Sequence, residues 1–304
     1  MDILFIQSSI LREMIEEELM AKQIQWYPGH MAKARRMLEE NLKLIDVVVE
    51  LVDARAPLAT RNPDFDALFS QKSRVILLNK SDLASAEQTK KWVEYYKEQN
   101  INAIAFVSTS SAKRKAAVSL IEAAAADKVA KMKEKGVIKT VRAMVVGIPN
   151  VGKSTFINRI AGETKAKVGD KPGVTKGKQW VKVSPYLELM DTPGLLWPKL
   201  ENEALAKHLA YIGSINDDIM DAERLAADML CELMAICPDA LKERYKKIED
   251  GMAAHELLEA VARSRGFILQ GGVMDTERAA RIVLDEFRAG RIAKITLESP
   301  DKEY

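Results

Sequence analysis

The chain has 304 residues, 47% of them hydrophobic and 30% charged, with a net charge of +2. That is enough for two globular domains with separate cores, and no apolar run approaches the ~20 residues needed to cross a bilayer. Two cysteines (Cys231 and Cys237) and three histidines argue against a zinc centre and point to a reducing, cytoplasmic setting.

The charge is unevenly spread. Residues 113–182 hold 17 Lys/Arg against 5 Asp/Glu, so the remainder is net acidic. Such asymmetry fits a basic face for a polyanion, although Lys-rich solvated helices produce the same count.

Residues 1–19, MDILFIQSSILREMIEEEL, lack the basic start of a signal peptide, and Glu16, Glu17 and Glu18 are wrong for a transit peptide. Residues 1–24 are therefore expected to be a dispensable extension. A basic amphipathic helix is predicted over 31–43. The apolar runs 45–52, 74–79, 102–108 and 141–147 predict strands buried on both faces. Helical patterns at about 62–71 and 84–98, a longer one at 113–135 and another at 153–162 lie between or after them. A strand pair, 178–183 and 186–190, turns at Ser184-Pro185. Strands alternating with helices imply an α/β fold with a doubly wound, mostly parallel sheet, here assigned to residues 25–199.

Beyond about residue 200 the strand signal mostly stops. Helices are predicted at 202–213, 221–235, 238–247, 251–263 and 275–288, with Asp221 and Asp275 as N-caps and Gly266 and Gly290 as stops. Residues 200–304 are expected to form a smaller, all-helical C-terminal domain.

The strongest chemical signal is Gly147-Ile148-Pro149-Asn150-Val151-Gly152-Lys153-Ser154, a G-x-x-x-x-G-K-[ST] phosphate loop between a strand and a helix. Glycines let successive backbone N–H groups converge on phosphate oxygens, and the helix N-terminus adds its dipole. Asn150, Val151, Gly152, Lys153, Ser154 and Thr155 are the expected phosphate contacts. Lys153 reaches the outer phosphates, and the Ser154 hydroxyl ligates Mg²⁺.

Asn79-Lys80-Ser81-Asp82 closes the second strand. A carboxylate there accepts from the N1–H and exocyclic amine of guanine; adenine would leave the charge unpaired. The Lys80 stem is expected over the base, and Asn79 is expected to tie this loop to the phosphate loop. Val107-Ser108-Thr109, after the third strand, offers backbone to the guanine carbonyl, in a register open by a residue or two. Asp191-Thr192-Pro193-Gly194 ends the last strand, where Asp191 would hold Mg²⁺ through water and the Gly194 N–H would sense the γ-phosphate. Thr175, in Pro172-Gly173-Val174-Thr175, is placed to supply a second hydroxyl to Mg²⁺.

The usual order of these motifs is inverted, with guanine recognition ahead of the phosphate loop. The same contacts can form if the helix over 113–135 joins the former chain ends of the domain. The segment after Gly194 then runs straight into the helical domain, so hydrolysis could reposition it.

This order, with QWYPGHMAKAR at 25–35, VDAR at 52–55, NKSD, GIPNVGKS, PGVTKG and DTPGLLWPK, closely resembles the circularly permuted P-loop GTPases of ribosome biogenesis, specifically the bacterial ribosome biogenesis GTPase A (YlqF-like) group. The resemblance runs from Gln25 to the C-terminus. It implies GTP/GDP binding, late assembly of the large (50S) ribosomal subunit with contacts to rRNA and ribosomal proteins, and hydrolysis stimulated by that subunit. It also implies a C-terminal RNA-binding module. Nothing in the sequence suggests more than a monomer off the ribosome.

Two residues bear on mechanism. Leu195 stands where many GTPases place a water-orienting glutamine, so the chemistry needs another group. In similar proteins a histidine in the PGHM segment is proposed for that role, here His30; a structural or RNA-contacting histidine is the alternative. Similar GTPases use an asparagine at the position of Asn150 to ligate K⁺; an asparagine tolerating a turn is the alternative there. Lys33, Arg35, Arg36 and Lys43, with the basic stretch 113–182, are the expected rRNA faces, and Arg263, Arg265 and Arg288 are further candidates. Trp26 and Tyr27 could stack on bases or fill a lid. A scaffold that binds GTP but barely hydrolyses it is the competing reading, favoured by Leu195; a small-metabolite P-loop kinase is opposed by NKSD.

Overall fold

A computed structural model describes residues 28–162, 179–197, 202–215 and 221–304, with side chains from residue 32 onward. Helix α1 (Pro28–Asn41) and a 3-10 turn (Leu42–Leu44) lead into β1 (Val47–Asp53), followed by α2 (Asp64–Leu68), β2 (Ser73–Asn79), α3 (Ala86–Glu98) and β3 (Asn102–Ala105). Then come α4 (Arg114–Ala124), α5 (Ala126–Glu134), β4 (Val141–Val146), α6 (Lys153–Ala161), β5 (Gln179–Ser184) and β6 (Leu187–Asp191). The strands order as β3-β2-β1-β4-β6-β5, and every pairing is parallel except the β5–β6 hairpin.

All seven residues of β1 are buried, Glu50 and Asp53 among them, as an apolar strand covered on both faces requires. Strands β1 and β4 are sheet neighbours, and from this pair the chain winds outward in opposite directions. A reversal of this kind opens a crevice at the carboxyl ends of the strands, where doubly wound folds bind ligands.

Two elements differ from the sequence expectation. The third strand leaves the sheet at Ala105, three residues early, and carries Ser108 toward the end of β2. The helix expected over 113–135 is two helices, because the N–H of buried Ala125 bonds back to the Glu122 carbonyl and tightens the turn.

Helices α7 (Glu203–Tyr211), α8 (Ala222–Ile236), α9 (Pro238–Arg244), α10 (Ala254–Arg265) and α11 (Thr276–Arg288) follow. Asp221 and Asp275 cap α8 and α11 as expected, and Gly266 ends α10 at φ +69°. The chain then returns to the sheet. Buried Ile295 and Leu297 donate N–H groups to the carbonyls of Leu83 and Arg55, and the Trp92 indole donates to the Glu298 carbonyl. One continuous apolar cluster runs from Leu38 and the sheet to Leu230, Phe287 and Leu297. No helix among the described residues is long and apolar enough to cross a membrane.

Candidate functional site

Every described nucleotide motif falls at the carboxyl end of a strand. Asp53 ends β1, Asn79 ends β2, the 107–109 segment follows β3, the phosphate loop follows β4 and Asp191 ends β6.

The phosphate loop turns at Gly147 (φ +148°) and Gly152 (φ +102°). A Cβ at Gly152 would run into the side-chain nitrogen of Asn79, so only glycine lets the two loops approach. Lys153 Nζ donates to the Gly147 and Ile148 carbonyls at 3.1 and 2.7 Å. Burial pulls this ammonium down to about 8, against the raising effect of Asp191, and phosphate oxygens would favour its charged form. The Ser154 hydroxyl donates to Asp191 Oδ2 at 3.0 Å. Two hard oxygens converging beside a phosphate loop fit Mg²⁺. Thr175 lies outside the described residues, as does the side chain of His30, whose backbone starts α1.

Asn79 bridges three segments. Its Nδ2 donates to the Val151 carbonyl at 2.8 Å, and its Oδ1 accepts from the Ser108 N–H and hydroxyl at 3.0 and 2.9 Å. The phosphate loop and the 107–109 segment are thereby set by one buried amide. Ser81 donates N–H and hydroxyl to the Phe106 carbonyl, which holds the NKSD turn open with Asp82 exposed at its rim. Lys80 takes a left-handed conformation, and its ammonium bonds the Asn150 carbonyl and Asp53 Oδ2, each at 3.0 Å. Burial lowers the pKa of this lysine, with Asp53 opposing.

Asn150 also has positive φ (+58°), and its side-chain amide donates to the Gly213 carbonyl, just beyond α7, at 2.9 Å. Gly194 packs on the phosphate loop so tightly that a Cβ would lie 2.7 Å from Pro149 N. Leu195 donates its N–H to the Gly147 carbonyl, accepts from Asn62 and is buried. Its side chain belongs to the apolar core.

Sequence reasoning singled out VDAR but assigned it no role. Asp53 accepts from Arg55 Nε, Nη2 and backbone N–H at 2.9, 2.8 and 3.0 Å, and it also faces Lys80. Burial would raise its pKa, but Arg55 and Lys80 hold the carboxyl far below the usual range. Arg55 then reaches the Arg288 carbonyl at 3.1 Å. Arg288 in turn donates to the carbonyls of Ala210 and Tyr211 that end α7, and Arg265 pairs with Glu286. Both arginines, considered for RNA contact, make these internal bonds. The readable signal was an acid two residues before an arginine at the end of a buried strand.

A family model described as a 50S ribosome-binding GTPase matches residues 142–261, beginning at β4 and so after NKSD. The chain is 44% identical over 280 residues to ribosome biogenesis GTPase A of Bacillus cereus, covering 92% of this chain and 95% of that protein. It is 46% identical over 281 residues to the protein of that name in Priestia megaterium, covering 92% and 98%. The solved GDP-bound structure of TM YlqF superposes with a TM-score of 0.63 at 31% identity, covering 87% of this chain and 99% of that one.

Proposed function

This chain belongs to the ribosome biogenesis GTPase A family and is a GTPase of ribosome biogenesis, and we propose that it binds the large (50S) subunit precursor and promotes its late assembly. Hydrolysis is stimulated by that subunit and assisted by K⁺. The relatives' name and the family model's description support the subunit as partner; contacts to rRNA and ribosomal proteins and a cytoplasmic setting belong to the same proposal.

The kinship with ribosome biogenesis GTPase A carries the reading, and Leu195 accounts for its dependence on a partner. The residue after DTPG is a buried aliphatic side chain, so it cannot orient an attacking water. Basal turnover should be slow, and the missing group must arrive with the partner or from the N-terminal segment, where His30 is the candidate.

The other roles follow from the chain's own atoms. Asp82 selects guanine, aided by the backbone of the 107–109 segment. Lys153 and the N–H groups of residues 150–155 hold the phosphates in place, which is most of what phosphoryl transfer asks of a protein. Ser154 and Asp191, with Thr175, would hold Mg²⁺, which supplies charge neutralisation when bound. Asn150 Oδ1 is the proposed K⁺ ligand, because its nitrogen is engaged by Gly213. Exposed Lys33, Arg35 and Arg36 on α1 are proposed rRNA contacts.

GTP turnover of the protein in K⁺ buffer, with and without purified large subunits, tests this reading. Strong stimulation is expected. Unchanged turnover would favour a scaffold that binds GTP without using its hydrolysis.

A further inference from the structure

The 107–109 segment, proposed above to meet the base carbonyl, is held by a residue on a different element. Arg159, on the phosphate-loop helix α6, donates from Nε to the Ser108 carbonyl at 3.1 Å and from Nη2 to the Thr109 carbonyl at 2.6 Å. The planar guanidinium presents these donors as a rigid fork, so both carbonyls are fixed together.

Because a peptide is planar and trans, its C=O and N–H point in opposite directions. The Ser108 carbonyl and the Thr109 N–H belong to one peptide unit. Gripping the carbonyl from α6 therefore turns the Thr109 N–H away from that helix. The flanking donors are committed: the Ser108 N–H goes to Asn79 Oδ1 at 3.0 Å and the Ser110 N–H to the Val107 carbonyl at 3.0 Å. Thr109 lies between them and is exposed.

We infer that Arg159 is a positioning residue for guanine recognition, aiming the Thr109 N–H at the guanine O6 by holding the Ser108 and Thr109 carbonyls. This deepens the proposed reading of residues 107–109 and rests on it. Asp82 senses the N1–H and the exocyclic amine, and the Arg159-held peptide senses the oxygen on the opposite side of the ring. The base loop is thereby tied to the helix that begins at the phosphates, so phosphate and base recognition share one rigid support.

The test compares GDP with 6-thio-GDP, which keeps every donor Asp82 reads but replaces O6 by sulfur, a weaker acceptor. Competition against fluorescent GDP gives both affinities for the full chain, for Arg159→Ala and for Arg159→Lys. The unsubstituted chain should prefer GDP. Arg159→Ala should weaken GDP about tenfold, the worth of one well-made hydrogen bond, while 6-thio-GDP changes little, so discrimination shrinks. Arg159→Lys, which keeps a cationic donor but not the planar fork, should restore part of the preference, and it is the informative variant if the alanine form does not fold. Equal weakening of both nucleotides would reduce Arg159 to general support and overturn the inference, as would unchanged affinities. Failure of the unsubstituted chain to bind GDP would instead sink the underlying reading of the site.

Discussion

The side-chain amide of Asn150, in the phosphate loop, donates to the carbonyl of Gly213 beyond α7 at 2.9 Å. This bond joins nucleotide chemistry to the helical segment and leaves Oδ1 as the end of the amide that can meet a cation. Turnover of the unsubstituted chain should be faster in K⁺ than in Na⁺, and Asn150→Ala should abolish the difference. Asn150→Asp keeps an oxygen for the cation but sets another against the Gly213 carbonyl. It should retain the K⁺ response while losing about 1 kcal/mol of stability. Equal turnover of the unsubstituted chain in both salts would remove K⁺ from the mechanism.

His30→Ala should cut subunit-stimulated turnover by at least about a hundredfold, the usual contribution of a positioned general base, and leave GTP affinity intact. If stimulation survives the substitution, the histidine is cleared of catalysis and the subunit supplies the group.

Asp53 anchors two cations, buried Arg55 and half-buried Lys80, at the end of β1. Asp53→Asn leaves them facing each other without a counter-charge, at a cost of about 3 kcal/mol. Thermal unfolding at pH 7 should fall by roughly 6 °C or more. The folded carboxyl titrates below its unfolded value, so its stabilisation is present above about pH 4 and is lost only as pH falls further through the folded value. The gap between Asp53→Asn and the unsubstituted chain should thus be constant from pH 5 to pH 8. A gap that closes on mild acidification would contradict this assignment.

His208 bridges Glu298 of the returning tail (Nδ1, 2.8 Å) and Glu232 of α8 (Nε2, 2.8 Å), with the Tyr211 and Tyr304 rings alongside. Burial would lower its pKa, yet the two carboxylates raise it to about 9. A raised folded value means the stabilisation is complete below pH 6.5 and fades as pH climbs through 9. Its size is on the order of 3 kcal/mol. Melting temperatures of the unsubstituted chain should exceed those of His208→Gln most near pH 6, with the difference shrinking toward pH 9.5. A difference independent of pH would show that His208 is neutral when folded.

Much of this protein is written locally. Apolar runs of strand length mark β1, β2 and β4, and Asp221, Asp275 and Gly266 mark helix ends, because burial and capping each need particular residue types at short spacing. The phosphate loop and NKSD are legible for the same reason: a few adjacent residues must supply backbone donors or one carboxylate. Their inverted order alone implied a permuted domain. Local pattern failed at Ala125, where an Ala/Lys-rich stretch gives a helical signal throughout while the N–H bond to Glu122 breaks it in two.

Only the folded chain decided what those local pieces meet. Arg55 finds the Arg288 carbonyl across 233 residues, and Ala59 finds Glu298 across 239. Asn79 becomes the bridge between the base and phosphate loops only because β1 and β4 are neighbours in the sheet. Such partners carry no periodicity to read, since any buried carboxylate or carbonyl of suitable shape would serve. They are selected by the order of the strands and by the cost of leaving a buried charge or donor unpaired, and both exist only after the sheet has closed.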